Sequence, residues 1–133
     1  MTDLAAMLAH LDVEVRKDSY VFAVVDARSP IVELADATIR EAEGLTVVVT
    51  ARNADEHGLA NAPRFAWLTL TVTSSLEAVG LTAAFSTALA AEGISCNVLA
   101  GFHHDHLLVP ESERGHAVRV LRALRGSGPE VGG

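Results

Sequence analysis

The sequence predicts an α+β fold, and three observations carry that expectation. Apolar residues recur at two different periods: at alternate positions along Trp67 to Thr73, "WLTLTVT", and at helical spacing through Leu81, Ala84, Phe85, Ala88 and Leu89. From Trp67 onward the elements run strand, helix, strand, strand, helix, which is a split βαβ unit without its last strand. Half of the 133 residues are apolar and 20% are charged. That suffices for one compact domain or two small halves sharing a core.

Taken in order, Leu4, Met7, Leu8 and Leu11 recur at helical spacing behind Thr2 and Asp3, a plausible cap. A short amphipathic helix ending before Val13 follows. Tyr20 to Asp26, "YVFAVVD", is an apolar run of β-formers punctuated by Arg28 to Pro30, and reads as a buried strand. "ATIREAEGLTVVVT" predicts a hairpin of Ala37 to Glu41, a turn at Glu43 and Gly44, and Leu45 to Thr50. Its three successive valines suit a strand covered on both faces. Arg52 to His57 is a polar helical turn closed by Gly58, and Ala60 to Pro63 is a connector near the midpoint. The expected organisation is therefore an N-terminal half over 1–63, a C-terminal half over 64–125 and a disordered tail over 126–133.

In the second half, Leu68, Leu70 and Val72 face one way, and Trp67, Thr69, Thr71 and Thr73 the other. The helix from Leu81 stops at Gly93 and is expected to pack on Leu68, Leu70, Ile94 and Val98. Ile94 to Ala100 reads as a strand with Ile94, Cys96 and Val98 on one face and Ser95, Asn97 and Leu99 on the other. Gly101 turns it and His106 to Val109 returns. Ser112 is placed to cap a last helix, with Ala117, Val120, Leu121 and Leu124 as its apolar stripe. Arg119, Arg122 and Arg125 lie toward its end, where cations complement the helix dipole. No further strand follows. Val13 to Arg16, Tyr20 to Asp26 or a neighbouring chain must complete the sheet.

Several function classes are disfavoured. A net charge of −7 argues against nucleic acid as a partner. The acidic start is unlike a secretory signal, and no apolar run approaches the roughly 18 residues of a spanning helix, so a cytoplasmic protein without membrane contact is expected. Cys96 is the single cysteine, which excludes an internal disulfide and reads as a small buried hydrophobe. No nucleophile elbow, zinc-protease helix, phosphate-binding loop or dinucleotide fingerprint is present. Neither catalysis nor a cofactor is expected.

Two stretches carry candidate chemistry. The segment "GFHHDHLLVP" places three of the six histidines within four positions. If the chain reverses around Gly101 to His103, His104, His106 and Leu108 share a face with Asn97 and Leu99. Two converging histidines fall short of the three or about four ligands that zinc requires, so no metal is expected. The alternatives are a polar wall beside a pocket, the favoured reading, and plain hairpin polarity. The second stretch, Ser74 to Gly80, leads from a strand into a helix N-terminus, where open backbone amides suit a carboxylate. Its candidate residues are Ser74, Ser75, Glu77, Val79 and Gly80, with Glu77 and Asn97 placed to receive an amino group. The structural alternatives are capping by Ser74 and Ser75, solvation of Glu77, chain direction at Gly80 and a backbone hydrogen bond by Asn97.

The stretch Val72 to Pro110, "VTSSLEAVGLTAAFSTALAAEGISCNVLAGFHHDHLLVP", resembles the ACT domain family, in particular its small stand-alone tandem proteins. "YVFAVVD", "ATIREAEGLTVVV" and "FAWLTLTV" extend the likeness over Tyr20 to Leu124. The resemblance implies a ferredoxin-like βαββαβ fold in two ACT-like halves, with antiparallel sheets backed by helices. It also implies a regulatory protein that binds a small molecule, an amino acid or related carboxylate, and pairs as a homodimer. By the same resemblance the loop Ser74 to Gly80 and the strand residue Asn97 line the pocket. One departure is that Glu77-Ala78-Val79-Gly80 stands where many ACT loops have Asp or Asn with a Pro-Gly turn. The alternative functions are a metal-binding protein and a purely structural or interaction module.

Overall fold

The computed structural model describes residues 4–59, 62–72 and 80–126. These divide into two compact units, Lys17–Phe65 and, around it in sequence, Met1–Arg16 with Ala66–Gly133.

Within Lys17–Phe65 the sheet order is β2-β3-β1, where β1 is Val13–Val25, β2 Ala37–Glu41 and β3 Gly44–Thr50. Both pairings are antiparallel, with Tyr20 opposite Thr50, Val25 opposite Leu45, and Glu41 opposite Gly44. The hairpin forms where the sequence places it. Val47, Val48 and Val49 are all fully buried, as expected of a strand covered on both faces. Val47 and Val49 pack with Val21 and Ile31 and with Ala51 and Ala54 of helix α2, Ala51–Glu56. Thr50 caps that helix, its hydroxyl accepting the Asn53 N–H at 3.1 Å. Strand β1 is longer than its apolar stretch because the polar residues Glu14 to Asp18 continue the same extended run.

In the other unit the order is β1-β4-β6-β5, with β4 at Phe65–Leu70, β5 at Asn97–Ala100 and β6 at Asp105–Pro110. The β5–β6 pair is antiparallel. The missing last strand is thus supplied by Val13 to Arg16, one of the two N-terminal candidates, and the split βαβ unit closes within one chain. Helices α1 (Leu4–Ala9), α3 (Leu81–Ala91) and α4 (Arg114–Ala123) supply the apolar layer. Met7 and Leu8 from α1, Phe85 and Leu89 from α3, and Leu121 from α4 meet Leu68, Leu70, Leu107 and Val109 of the sheet. The described strands and helices make an α+β architecture of antiparallel sheet and helices.

The corner between α1 and β1 is fixed by polar contacts. The Thr71 N–H donates to the Asp12 carbonyl at 2.9 Å, and the Asp12 N–H to the Thr71 hydroxyl at 3.2 Å. From the C-terminal end, Arg122 Nε donates to Asp12 Oδ1 at 2.9 Å and Arg125 Nη2 to Oδ2 at 3.2 Å. Arg125 Nε also donates to the Leu11 carbonyl at 2.6 Å. The Val13 backbone N–H and the Arg122 guanidinium hold the Asp12 carboxyl below its usual range. A second pin joins α3 to α4: His116 reaches Glu113 through Nδ1 at 3.0 Å and Glu92 through Nε2 at 3.1 Å. Hydrogen bonds to both carboxylates, Glu113 first, raise its pKa.

Three expectations are corrected. Strand β5 begins at Asn97, not Ile94, and Ile94 instead packs in the core behind α3, receiving its place from a bond of its N–H to the Leu89 carbonyl at 3.0 Å. Val98 is 37% exposed on the outermost strand and does not belong to the α3 contact. The last helix is preceded by a 3-10 turn over Glu111–Glu113, so Glu113, not Ser112, occupies its cap position.

Phe85 is fully buried at the centre of this core. Phe85→Ala is expected to lose about 3–5 kcal/mol in chemical denaturation, because truncating a large side chain at a fully buried position leaves a cavity. For Asp12 the folded pKa lies below the unfolded one, so its contribution is full above the unfolded value and fades as pH falls through the folded value. The Tm advantage of the parent over Asp12→Asn should therefore be full at neutral pH and shrink as pH falls from the ordinary carboxylate value through the lower folded one. An advantage independent of pH would show that the carboxylate charge is not what holds the corner.

Candidate functional site

The alternation of β4 separates its two faces. Ala66, Leu68 and Leu70 join the helix-backed core, so Trp67 and Thr69 lie on the other face. On β6 the same division puts Leu107 and Val109 in the core and His106 and Leu108 opposite. The register pairs Asn97 with Leu108 and Leu99 with His106. Asn97, Leu99, His106 and Leu108 therefore share the face that the sequence assigned to them.

His106 is the most constrained polar group there. The indole Nε1 of Trp67 donates to His106 Nδ1 at 3.2 Å, and the Thr69 hydroxyl lies 2.9 Å from the same nitrogen. An indole N–H can only donate, so Nδ1 must carry a lone pair and the proton sits on Nε2. The rings meet edge to face at 5.5 Å. The Arg16 guanidinium stacks over the Trp67 ring at 3.9 Å from its centroid. Burial, then Arg16 and His104, push the His106 pKa below its ordinary value against the opposing pull of Asp105. Desolvation raises the Asp105 pKa, with His106 and His104 acting in the opposite sense.

The remaining candidates are distributed unevenly. Asn97 is exposed, and its amide donates to the Leu108 carbonyl at 3.4 Å. His104 lies in the turn, where its carbonyl accepts the Gly101 N–H at 2.9 Å. Next to it Phe102 is 70% exposed and stacks on His103 with ring centroids 5.0 Å apart. Gly80 lies instead in the helical layer, at the start of α3, with φ of 107° and Leu4 Cδ2 only 3.1 Å from where a Cβ would stand. It borders an open groove of about 520 Å³ lined by Leu4, Leu8, Ala84, Thr87, Ala88 and Leu124. That lining is apolar and offers a carboxylate no cation. Ser74, Ser75, Glu77 and Val79 lie outside the described residues.

Among the described residues no group of three or more His, Cys, Asp or Glu side chains is arranged to hold a metal ion. The Cys96 thiol is pushed up to about 11 by burial, so it is protonated at neutral pH and packs against the core as a small hydrophobe. Sequence reading missed Arg16, Trp67 and Thr69 as partners of His106. The period-two pattern of β4 put Trp67 and Thr69 on one face, but their meeting with His106 needed the β4–β6 adjacency.

Two ACT domain models match the chain, one over residues 1–66 and the other over residues 64–123. The chain belongs to the ACT domain family. Among solved structures it is similar to a Vibrio cholerae protein of unknown function, described as a possible transport protein. That chain is 45% identical with a TM-score of 0.78, over 88% of this chain and 92% of the other. It is also similar in fold to a regulatory subunit of aspartate kinase from Thermus thermophilus, in a ligand-free form, at 14% identity and a TM-score of 0.63, over 84% and 95% of the two chains. An Agrobacterium tumefaciens protein shows the same likeness at 18% identity and a TM-score of 0.64, over 86% and 89%. No curated protein matches. The ACT assignment supports a ligand-binding regulatory role, and none of the described helices is long and apolar enough to cross a membrane.

Proposed function

We propose that this ACT protein is a cytoplasmic regulatory sensor, without catalysis of its own, that binds an amino acid or related carboxylate and works as a homodimer. The observation that carries the reading is the pair of ACT-type matches that together span residues 1–123. Each half, 1–63 and 64–125, contributes one repeat. The ligand site comprises the loop Ser74, Ser75, Glu77, Val79 and Gly80 together with Asn97, His104 and His106. In support, Asn97 stands exposed on the outermost strand. His106 faces the same side of the sheet two positions along. A dimer partner meeting that strand would bring a second loop to these side chains and cover an unpaired sheet edge.

The test is a melting screen against the common amino acids, nucleotides and divalent metals. A ligand held only by the native state stabilises it by about 2.7 kcal/mol at a hundredfold excess over its dissociation constant. One amino acid or carboxylate is expected to raise Tm, and Asn97→Ala to lose most of that rise while keeping the parent's Tm without ligand. Gly80 is unsuited to the same test, because a side chain there meets both its positive φ and Leu4. A screen in which no amino acid or carboxylate responds, or in which a metal does, contradicts the proposal.

A further inference from the structure

We infer that His106 is a fixed hydrogen-bond donor for an oxygen of the bound ligand, carboxylate or carbonyl, and that Trp67 and Thr69 are the positioning residues that fix it. The inference rests on the ligand-binding reading above and specifies which atom of this chain meets the ligand.

The geometry supplies the donor first. Trp67 Nε1–H and the Thr69 hydroxyl both reach Nδ1, at 3.2 and 2.9 Å, which leaves the single ring proton on Nε2. That N–H has no partner among the described residues, although the side chain is only partly exposed. A donor held this way costs nothing further to orient when an acceptor arrives.

Gly101 keeps it accessible. A Cβ at that position would stand 3.1 Å from His106 Nε2 and 3.0 Å from the His104 carbonyl oxygen. Any side chain there would cover the donating edge or distort the turn. The charge around the ring also suits an oxygen anion. Arg16 from β1 lies near enough to oppose a proton on His106, His104 acts in the same sense, and Asp105 acts in the opposite one. Protonating Nδ1 would aim an N–H at the Trp67 N–H, so the ring stays neutral at neutral pH and donates from one defined atom. This differs from a histidine wall that changes charge near neutrality: ligand recognition here is constant through the neutral range and changes only in acid.

The experiment is NMR of the 15N-labelled full chain at neutral pH, reading the imidazole nitrogens and using acetate as probe, with exposed His10 as the internal control. His106 should show a protonated Nε2 and a bare Nδ1. In Trp67→Phe with Thr69→Val, which removes both donors to Nδ1, the share of the other tautomer should rise above that of the parent. Acetate should move the His106 Nε2–H at a concentration at least about tenfold below that which moves His10. In Gly101→Ala that difference should disappear. If this variant does not fold, the parent titration alone decides. A proton found on Nδ1, or an acetate response no stronger than that of His10, overturns the inference. A melting response to an amino acid with His106 unmoved overturns it too, and leaves the sensor reading standing. An acetate-shifted His106 with no amino acid response in the melting screen supports the donor and sinks the amino acid reading.

Discussion

The C-terminal unit depends on one corner, where Asp12 turns the chain from α1 into β1. From Trp67 on, the sequence supplies three strands and two long helices, and an edge of β4 would be left open without a fourth strand. Val13 to Arg16 fill it. Because that strand lies at the opposite end of the chain from α4, its place must be specified by contacts across a very long loop, whose closure entropy has to be offset. Asp12 does this with both carboxylate oxygens, one for Arg122 and one for Arg125, while its backbone exchanges hydrogen bonds with Thr71. Val13 is buried directly beside it. The arginines that looked like simple complements to a helix dipole are the fastening of the N-terminus.

Placing β1 beside β4 also positions the polar side of the sheet. Arg16, on the closing strand, comes over the ring of Trp67, and Trp67 in turn holds His106. The cluster around His106 is therefore assembled from residues of three different strands. The two best-defined histidines have their pKa values moved in opposite directions, for reasons visible in their partners. His116 lies between two carboxylates, and its hydrogen bonds to both favour the protonated ring. His106 receives two donors on one nitrogen, next to a guanidinium, and keeps one. Identical side chains serve as a structural clamp at one end of the unit and as an oriented donor on its sheet.

Much of this was legible in the sequence where local pattern and tertiary demand agree. The hairpin over residues 37–50, the helix from Leu81 and the face shared by Asn97, Leu99, His106 and Leu108 follow from period and turn residues. Asn97 could be placed because a register shift by one would have turned Leu107 and Val109 out of the core. The errors have the opposite cause. Val13 to Arg16 and Tyr20 to Asp26 look like separate candidate strands, yet they join in one continuous β1, Val13–Val25, whose exposed residues between them give no apolar signal of strand. Ile94 looks like a strand residue, but its apolar side chain is used to seal the end of α3. Trp67, Thr69 and His106 meet across an interval of almost forty residues, and no local signal encodes that pairing.

Native-state hydrogen exchange tests most directly whether Val13 to Arg16 are an integral strand of the C-terminal unit. If they are, their hydrogen-bonded amides open with the same free energy as those of Trp67 to Leu70 and Leu107 to Val109, as members of one cooperative unit. Exchange of Val13 to Arg16 at the rate of a fraying terminus, with β4 and β6 still fully protected, would contradict it.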